Sequence, residues 1–180
     1  MEFDDLKTQR LLLHGISADD RDFIFRLFSN IEVNRYLFDA EPVIDLAGAD
    51  EIVTDYTTRN AGDCHRWVLV RKDDGAPIGT CGFHCWDQAA GSAEIGYDLL
   101  PSAQGSGYMA EAVNAMLGYL HGDLGISRVT ACIYPENVKS GSLVKRLGFV
   151  WGGKTRNEIY LGVTYPHQLY VLDVPGGQDA

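Results

Sequence analysis

The chain has 180 residues, of which 46% are hydrophobic and 22% charged, and its 25 acids against 15 bases give a formal net charge of −10. That length suits a single domain, residues 1–180, able to bury roughly 70% of the surface of its unfolded chain without staples. The acid excess excludes a general nucleic-acid binder, which carries a basic face, and a protein held on an anionic membrane surface.

Residues 10–14 (Arg-Leu-Leu-Leu-His) read as a first, mostly buried strand. Ser17 offers an N-cap, and Asp19, Asp20 and Asp22 complement the dipole of the helix that follows. Phe23, Ile24, Leu27 and Phe28 recur at helical spacing. A short helix is expected over 32–36 and a longer one over about 45–60. The middle reads as a meander of strands, 65–72, 77–87 and 93–100, parted by the turns Asp73-Asp74-Gly75 and Ala89-Ala90-Gly91. The period then changes. Met109, Val113, Met116, Leu117 and Leu120 form one helical stripe, so a helix covers roughly 107–121, and the stripe reads as core. A strand at 128–134, a helix at 137–147 ending on Gly148, and strands near 149–155 and 167–172 complete the chain.

The helix at 107–121 joins strands 93–100 and 128–134 in a βαβ crossover, which makes those two strands parallel. The earlier strands, joined by tight turns, are antiparallel. The expected fold class is therefore α/β, a mixed and mostly antiparallel sheet with helices on both faces.

No apolar run approaches the roughly 18–20 residues that span a bilayer. The start, Met-Glu-Phe-Asp-Asp, is not a signal peptide, so a cytoplasmic protein is expected. Cys64, Cys81, Cys85 and Cys132 fit reduced core thiols better than a disulfide framework, and no CxxC or HExxH spacing points to a metal. The charge is uneven: residues 1–60 hold 6 bases and 13 acids, whereas 101–180 hold 6 of each.

The turn before helix 107–121 reads Gln104-Gly105-Ser106-Gly107-Tyr108-Met109. Small residues let the backbone approach a ligand closely, and the unpaired N–H groups of a helix start make an anion site suited to a pyrophosphate. A plain strand-to-helix turn would look the same. It is neither a dinucleotide fingerprint, since the third glycine would fall at Ala110, nor a P-loop, since no Gly-Lys-Ser/Thr follows.

Gln104-x-x-Gly107-x-Met109 resembles the Q/R-x-x-G-x-G/A acetyl-CoA signature of the GNAT superfamily of N-acetyltransferases. Asn137-x-x-Ser140 followed by Gly148-Phe149 resembles the family's NxxS…GF helix. Glu94-Ile95-Gly96-Tyr97, Thr8 to Leu13, Val33 to Leu37 and Gly162-x-x-Tyr165-x-His167 resemble the ribosomal-protein N-terminal acetyltransferase (RimJ/RimL-like) branch, over nearly the whole chain. Four positions depart from the pattern, one being Ala110, which replaces a common Thr before Glu111. Met109 replaces a small residue, Pro166 replaces an Asp, and Val144 stands where many members carry a general-acid tyrosine.

The resemblance implies a GNAT-like fold and transfer of an acetyl group from acetyl-CoA to an amine by direct attack in a ternary complex, with CoA as product and no metal. It implies that the amides of Gly105, Ser106, Gly107, Tyr108 and Met109 hold the pyrophosphate. It places the main chain of Leu99 on pantetheine, the Tyr97 N–H on the thioester carbonyl, and Asn137 and Ser140 near the sulfur. Ser140 would hydrogen-bond or protonate the thiolate, or serve only as a helix cap. A general base would neutralise the ammonium of the acceptor. Glu94 is the first choice and His84 the second, each with a plain structural alternative. Asp98 and Trp86 are further acceptor-side candidates that nothing in the sequence selects.

The acceptor is a small-molecule or peptide amine, and a homodimer through the final hairpin is left open. Two competing readings remain: a non-catalytic acyl-CoA-binding or regulatory module on the same fold, and a phosphate-binding α/β protein of another family.

Overall fold

The computed structural model describes residues 3–38, 40–59 and 62–174. Its strands are β1 (Leu6–Lys7), β2 (Leu11–Gly15), β3 (His65–Arg71), β4 (Pro77–Asp87), β5 (Ser92–Leu99), β6 (Arg128–Ile133), β7 (Val150–Tyr160) and β8 (Val163–Asp173). They form one sheet in the order β1-β2-β3-β4-β5-β6-β8-β7. The helices are α1 (Arg21–Phe28), α2 (Ile31–Asn34), α3 (Leu46–Thr54), α4 (Tyr108–Gly122) and α5 (Val138–Arg146).

Alternation along the strands divides the core in two. Leu11, Leu13, Trp67, Leu69 and Phe83 join one cluster with α4 and α5. Val68, between Trp67 and Leu69, turns to the other face and packs with Phe23, Ile24, Leu27 and Phe28 of α1 and Ala49 and Val53 of α3. The mixed sheet with helices on both faces is thus as expected. The methionine and leucine stripe of α4 is buried throughout, Met109 included.

Local chemistry sets the helix starts. The Asp20 carboxylate accepts from the Ser17 N–H at 2.8 Å and its hydroxyl at 3.0 Å, just before α1. Asp45 Oδ1 caps the Gly48 N–H at 2.9 Å, and Asn137 Oδ1 caps the Ser140 N–H at 3.2 Å. Gly148 ends α5 with φ at 91°, which suits glycine.

One departure from regular pairing positions the site. β5 and β6 are parallel, but their register covers only Ser92↔Arg128, Ala93↔Val129 and Glu94↔Thr130. β5 continues to Leu99, still paired with β4 on its other side. The Leu100 N–H donates to Ile78 O at 2.9 Å, so by strand alternation the main-chain groups of even-numbered residues here face β4. Those of Ile95, Tyr97 and Leu99 face the widening gap toward β6.

Several sequence expectations are corrected. The two-residue β1 carries no pattern and was not predicted. β7 and β8 are longer than 149–155 and 167–172, because β7 is an exposed edge strand whose side chains show no apolar alternation. The helix expected over about 45–60 is α-helical at Leu46–Thr54 and continues as a wider π-helical turn, Asp55–Arg59, while Asn60 lies outside the described residues. Cys85 is not a core thiol. It is exposed, with φ at 51°, where the β4–β5 register shifts between His84 and Asp87. Among the described residues no helix is long and apolar enough to cross a membrane.

Candidate active site

The loop from β5 to α4 is shaped by two glycines in the left-handed region, Gly105 at φ 80° and Gly107 at φ 79°. Gly107 is the N-cap of α4, and the first intrahelical bond runs from the Glu111 N–H to Gly107 O at 3.1 Å. The earlier N–H groups of the helix start have no intrahelical acceptor. A Cβ at Gly105 would meet nothing within 4 Å, so the loop presents open backbone to whatever it binds.

Arg10 braces this loop from the start of β2. Its Nη1 donates to Ser106 O at 2.9 Å, and its guanidinium lies 4.5 Å from the centre of the Tyr108 ring. Its Nε donates to Glu111 Oε2 at 2.6 Å, and Glu111 Oε1 accepts from the Arg10 N–H and the Thr8 hydroxyl. A fixed cation therefore joins the positive end of α4. An open cradle with backbone donors and a neighbouring guanidinium fits a pyrophosphate.

The gap between β5 and β6 begins beside this loop. Leu99 O accepts from Gln104 Nε2 at 3.2 Å, and Gln104 Oε1 accepts from Lys139 Nζ at 2.7 Å. The carbonyl at Leu99 is thus available to side-chain donors from the gap side. Tyr97 Oη and Ser140 Oγ are 2.7 Å apart, and burial pushes the Tyr97 phenol up to about 12 despite the Ser140 bond. The cap of α5 is the Asn137 side chain, so the Ser140 hydroxyl is not the cap. Val144, at the position where a tyrosine was sought, is fully buried in the core.

The other face of β5 carries charge. Glu94 is buried, and its two oxygens accept from Arg156 Nη1 and Nη2 of β7, both at 2.8 Å. His84 Nε2 lies 3.3 Å from Glu94 Oε1. Burial pushes the Glu94 carboxyl up, but the hydrogen bonds from His84 and Arg156 and the charge of Arg156 outweigh it and hold it at about 2. A carboxylate held so low is a poor proton acceptor for an ammonium. Glu94 is thus ion-paired with Arg156, which speaks against its expected place as first choice of base. His84 remains beside it, 41% exposed in its side chain.

A cleft of about 270 Å³ opens at His84, lined also by Asp55, Tyr56, Asp63, Cys64 and Cys85. Next to it, Asp98 pairs with Arg66, which also donates to Thr80 Oγ1 and Tyr56 Oη, each at 2.9 Å. Arg66 thus holds the sheet to the turn after α3. Trp86 packs edge-on against Phe83, 5.8 Å between centroids, with the α4 side of the core.

Of the residues singled out in the sequence, Gln104, Gly105, Ser106, Gly107, Tyr108 and the backbone of Met109 gather at the α4 start. Leu99, Tyr97, Asn137 and Ser140 gather at the gap, and His84 and Glu94 meet on its far face. Arg10, Lys139 and Arg156 were missed, because each acts on a partner at least 35 residues away in sequence. The charge of residues 10, 139 and 156 was visible, but nothing local says which carboxylate or carbonyl each one meets.

The acetyltransferase (GNAT) domain family matches residues 10–150. The chain belongs to the GNAT acetyltransferases. The Uncharacterized N-acetyltransferase YoaA of Bacillus subtilis is 32% identical over 174 residues, 94% of this chain and 97% of that protein. The [Ribosomal protein uS5]-alanine N-acetyltransferase of Escherichia coli is 34% identical over 82 residues, 45% of this chain and 42% of that one. The crystal structure of spermidine N-acetyltransferase from Vibrio cholerae, in complex with CoA and spermine, has the same fold, with a TM-score of 0.79 at 22% identity over 91% of this chain and 95% of that one. This GNAT protein is an acetyl-CoA-dependent N-acetyltransferase.

Proposed function

We propose that this enzyme transfers acetyl from acetyl-CoA directly to a cationic primary amine, a protein N-terminus or a small-molecule amine, bound at the acid-lined cleft. The observation that carries this reading is the gap between β5 and β6. It has the glycine cradle at one end and the His84–Glu94 pair on its far face. β5 thereby carries the donor edge together with Glu94, which holds His84 of the neighbouring β4 as the proton acceptor.

In this reading the amides from Gly105 to Met109, helped by Arg10, hold the pyrophosphate. The main chain of Leu99 pairs with pantetheine, with the Gln104 amide giving way. The Tyr97 N–H donates to the thioester carbonyl and stabilises the charge that develops there. Asn137 holds the first turn of α5, and the Ser140 hydroxyl faces the sulfur. When bound, the thioester supplies an activated acyl carbon.

The amine must lose a proton to attack. At pH 7 roughly a tenth of an α-amino group is already neutral, but only about one alkylammonium in a few thousand. His84 takes that proton, directly or through water, while Glu94 fixes the ring and attracts the ammonium. Asp55 and Asp63 add to the same negative field. The partial match to the uS5-alanine acetyltransferase supports a peptide N-terminus among the acceptors.

The test is thiol release from acetyl-CoA against a panel of amines: peptides with different N-termini, polyamines and neutral amines. Turnover fastest with a cationic amine, and slowed by salt, supports the reading. CoA binding without turnover on any amine would overturn it in favour of a non-catalytic acyl-CoA module.

A further inference from the structure

Val144, fully buried where many members of the family carry a tyrosine, offers no hydroxyl from α5. A tyrosine hydroxyl nevertheless reaches the start of that helix, from the opposite wall of the gap. Tyr97 Oη lies 2.7 Å from Ser140 Oγ, across 43 residues of sequence. The two walls of the gap thus touch through this pair of hydroxyls.

The direction of that bond follows from chemistry. A phenol is a better donor and a weaker acceptor than an aliphatic alcohol. The half-buried Tyr97 phenol, pushed up by desolvation, keeps its proton through the neutral range. It therefore donates to Ser140 Oγ. The backbone N–H of Ser140 is already given to Asn137 Oδ1 at 3.2 Å, which fixes the turn that carries the serine. The hydroxyl proton of Ser140 is then left to point elsewhere. A lone serine hydroxyl rotates freely, and a hydrogen bond received from Tyr97 removes most of that freedom.

We infer that Tyr97 is a positioning residue, whose phenol donates to Ser140 Oγ so that the Ser140 hydroxyl presents its own proton to the sulfur of the donor. This rests on the reading that places the sulfur beside Ser140. The C–S bond breaks with its electron pair on sulfur, and the Ser140 O–H hydrogen-bonds that thiolate. Full transfer of the Tyr97 proton is uphill, since a phenol near 12 is a far weaker acid than an ordinary thiol. The pair therefore stabilises the thiolate without being consumed; of the two protons that leave the ammonium as it becomes an amide, one goes to His84 and solvent before attack and the other neutralises the thiolate.

The experiment compares binding of CoA and desulfo-CoA by calorimetry in the wild type, Tyr97→Phe, Ser140→Ala and the double variant, alongside turnover of acetyl-CoA. Tyr97→Phe keeps the ring and its packing, and a thermal melt checks that each variant folds. The wild type should prefer CoA over desulfo-CoA by about tenfold. In Tyr97→Phe and Ser140→Ala that preference should fall below about twofold, with desulfo-CoA affinity unchanged. Tyr97→Phe should also lower kcat about tenfold with little change in KM for acetyl-CoA, and should add nothing once Ser140 is alanine. Equal weakening of both ligands, or losses that add in the double variant, would make Tyr97 a packing residue and overturn the inference. A wild type that binds CoA but acetylates no amine would instead overturn the proposed function.

Discussion

The two sides of the β5–β6 gap are built on different principles. The proposed donor side consists mostly of main chain: two left-handed glycines, the N–H groups that start α4, and the backbone edge of β5. The far side is made of side chains from separate elements, with Glu94 from β5, His84 from β4, Arg156 from β7, and Asp55 and Asp63 from the turns around α3 and β3. Backbone recognition needs small residues at fixed spacing, so it leaves a motif. Side-chain recognition needs only the right groups in one place, so it leaves none. The donor is accordingly fixed by family, and the acceptor is free to vary.

Four experiments bear on this contrast, from the largest expected effect to the smallest. Gly107→Asp should lower CoA affinity more than about 100-fold, measured by calorimetry. The new carboxylate opposes the pyrophosphate and competes for Arg10, whose Nη2 would lie 3.5 Å from the added Cβ. Unchanged affinity would remove the loop from the donor site. His84→Gln should lower kcat/KM for an alkylamine about 100-fold while leaving CoA affinity intact. Raising the pH should restore part of the loss, because the amine then deprotonates unaided. A loss equal at all pH values would deny His84 the role of base.

The third concerns acid stability. The Glu94 carboxyl lies near 2 in the folded protein, below the ordinary value of 4.5. Between those two values the unfolded chain binds the extra proton. The stability that the carboxylate contributes is therefore present above about pH 4.5 and lost as pH falls toward 2. Glu94→Gln should flatten the fall in unfolding free energy over that range by up to about 3 kcal/mol, measured by denaturant titration at each pH. An identical slope in the variant would mean that the Arg156 pair does not persist in solution. The smallest effect is expected from Asp55→Asn with Asp63→Asn. KM for a cationic amine should rise about threefold to tenfold and its salt dependence should weaken, while a neutral amine is unaffected.

Legibility in the sequence followed the same division. Elements with apolar faces were readable, because α4 buries one side and the central strands of the meander bury residues on both. The exposed hairpin strand β7 was read short, since nothing along it alternates. Gly105, Gly107, Asn137 and Ser140 could be read in place, because their neighbours in sequence are their neighbours in space. The state of Glu94 could not be read. It depends on Arg156, 62 residues away, on a strand that returns to the sheet only after a further helix. The hydroxyl at Tyr97 was hidden for the same reason. Its partner lies 43 residues on, and the sequence motif draws attention to the main-chain N–H of the tyrosine, not to its hydroxyl.

The parting of β5 from β6 also bears on the lifetime of the molecule. A sheet left open over Ile95 to Leu99 exposes main-chain groups that a bound pantetheine arm would pair. On the proposed reading the donor completes the sheet as well as supplying the acyl group. Ligand present at a hundred times its Kd would add about 2.7 kcal/mol to the stability of the fold. Proteases act on the unfolded fraction, so the survival of this enzyme in a cell would rise and fall with the local supply of CoA and its esters.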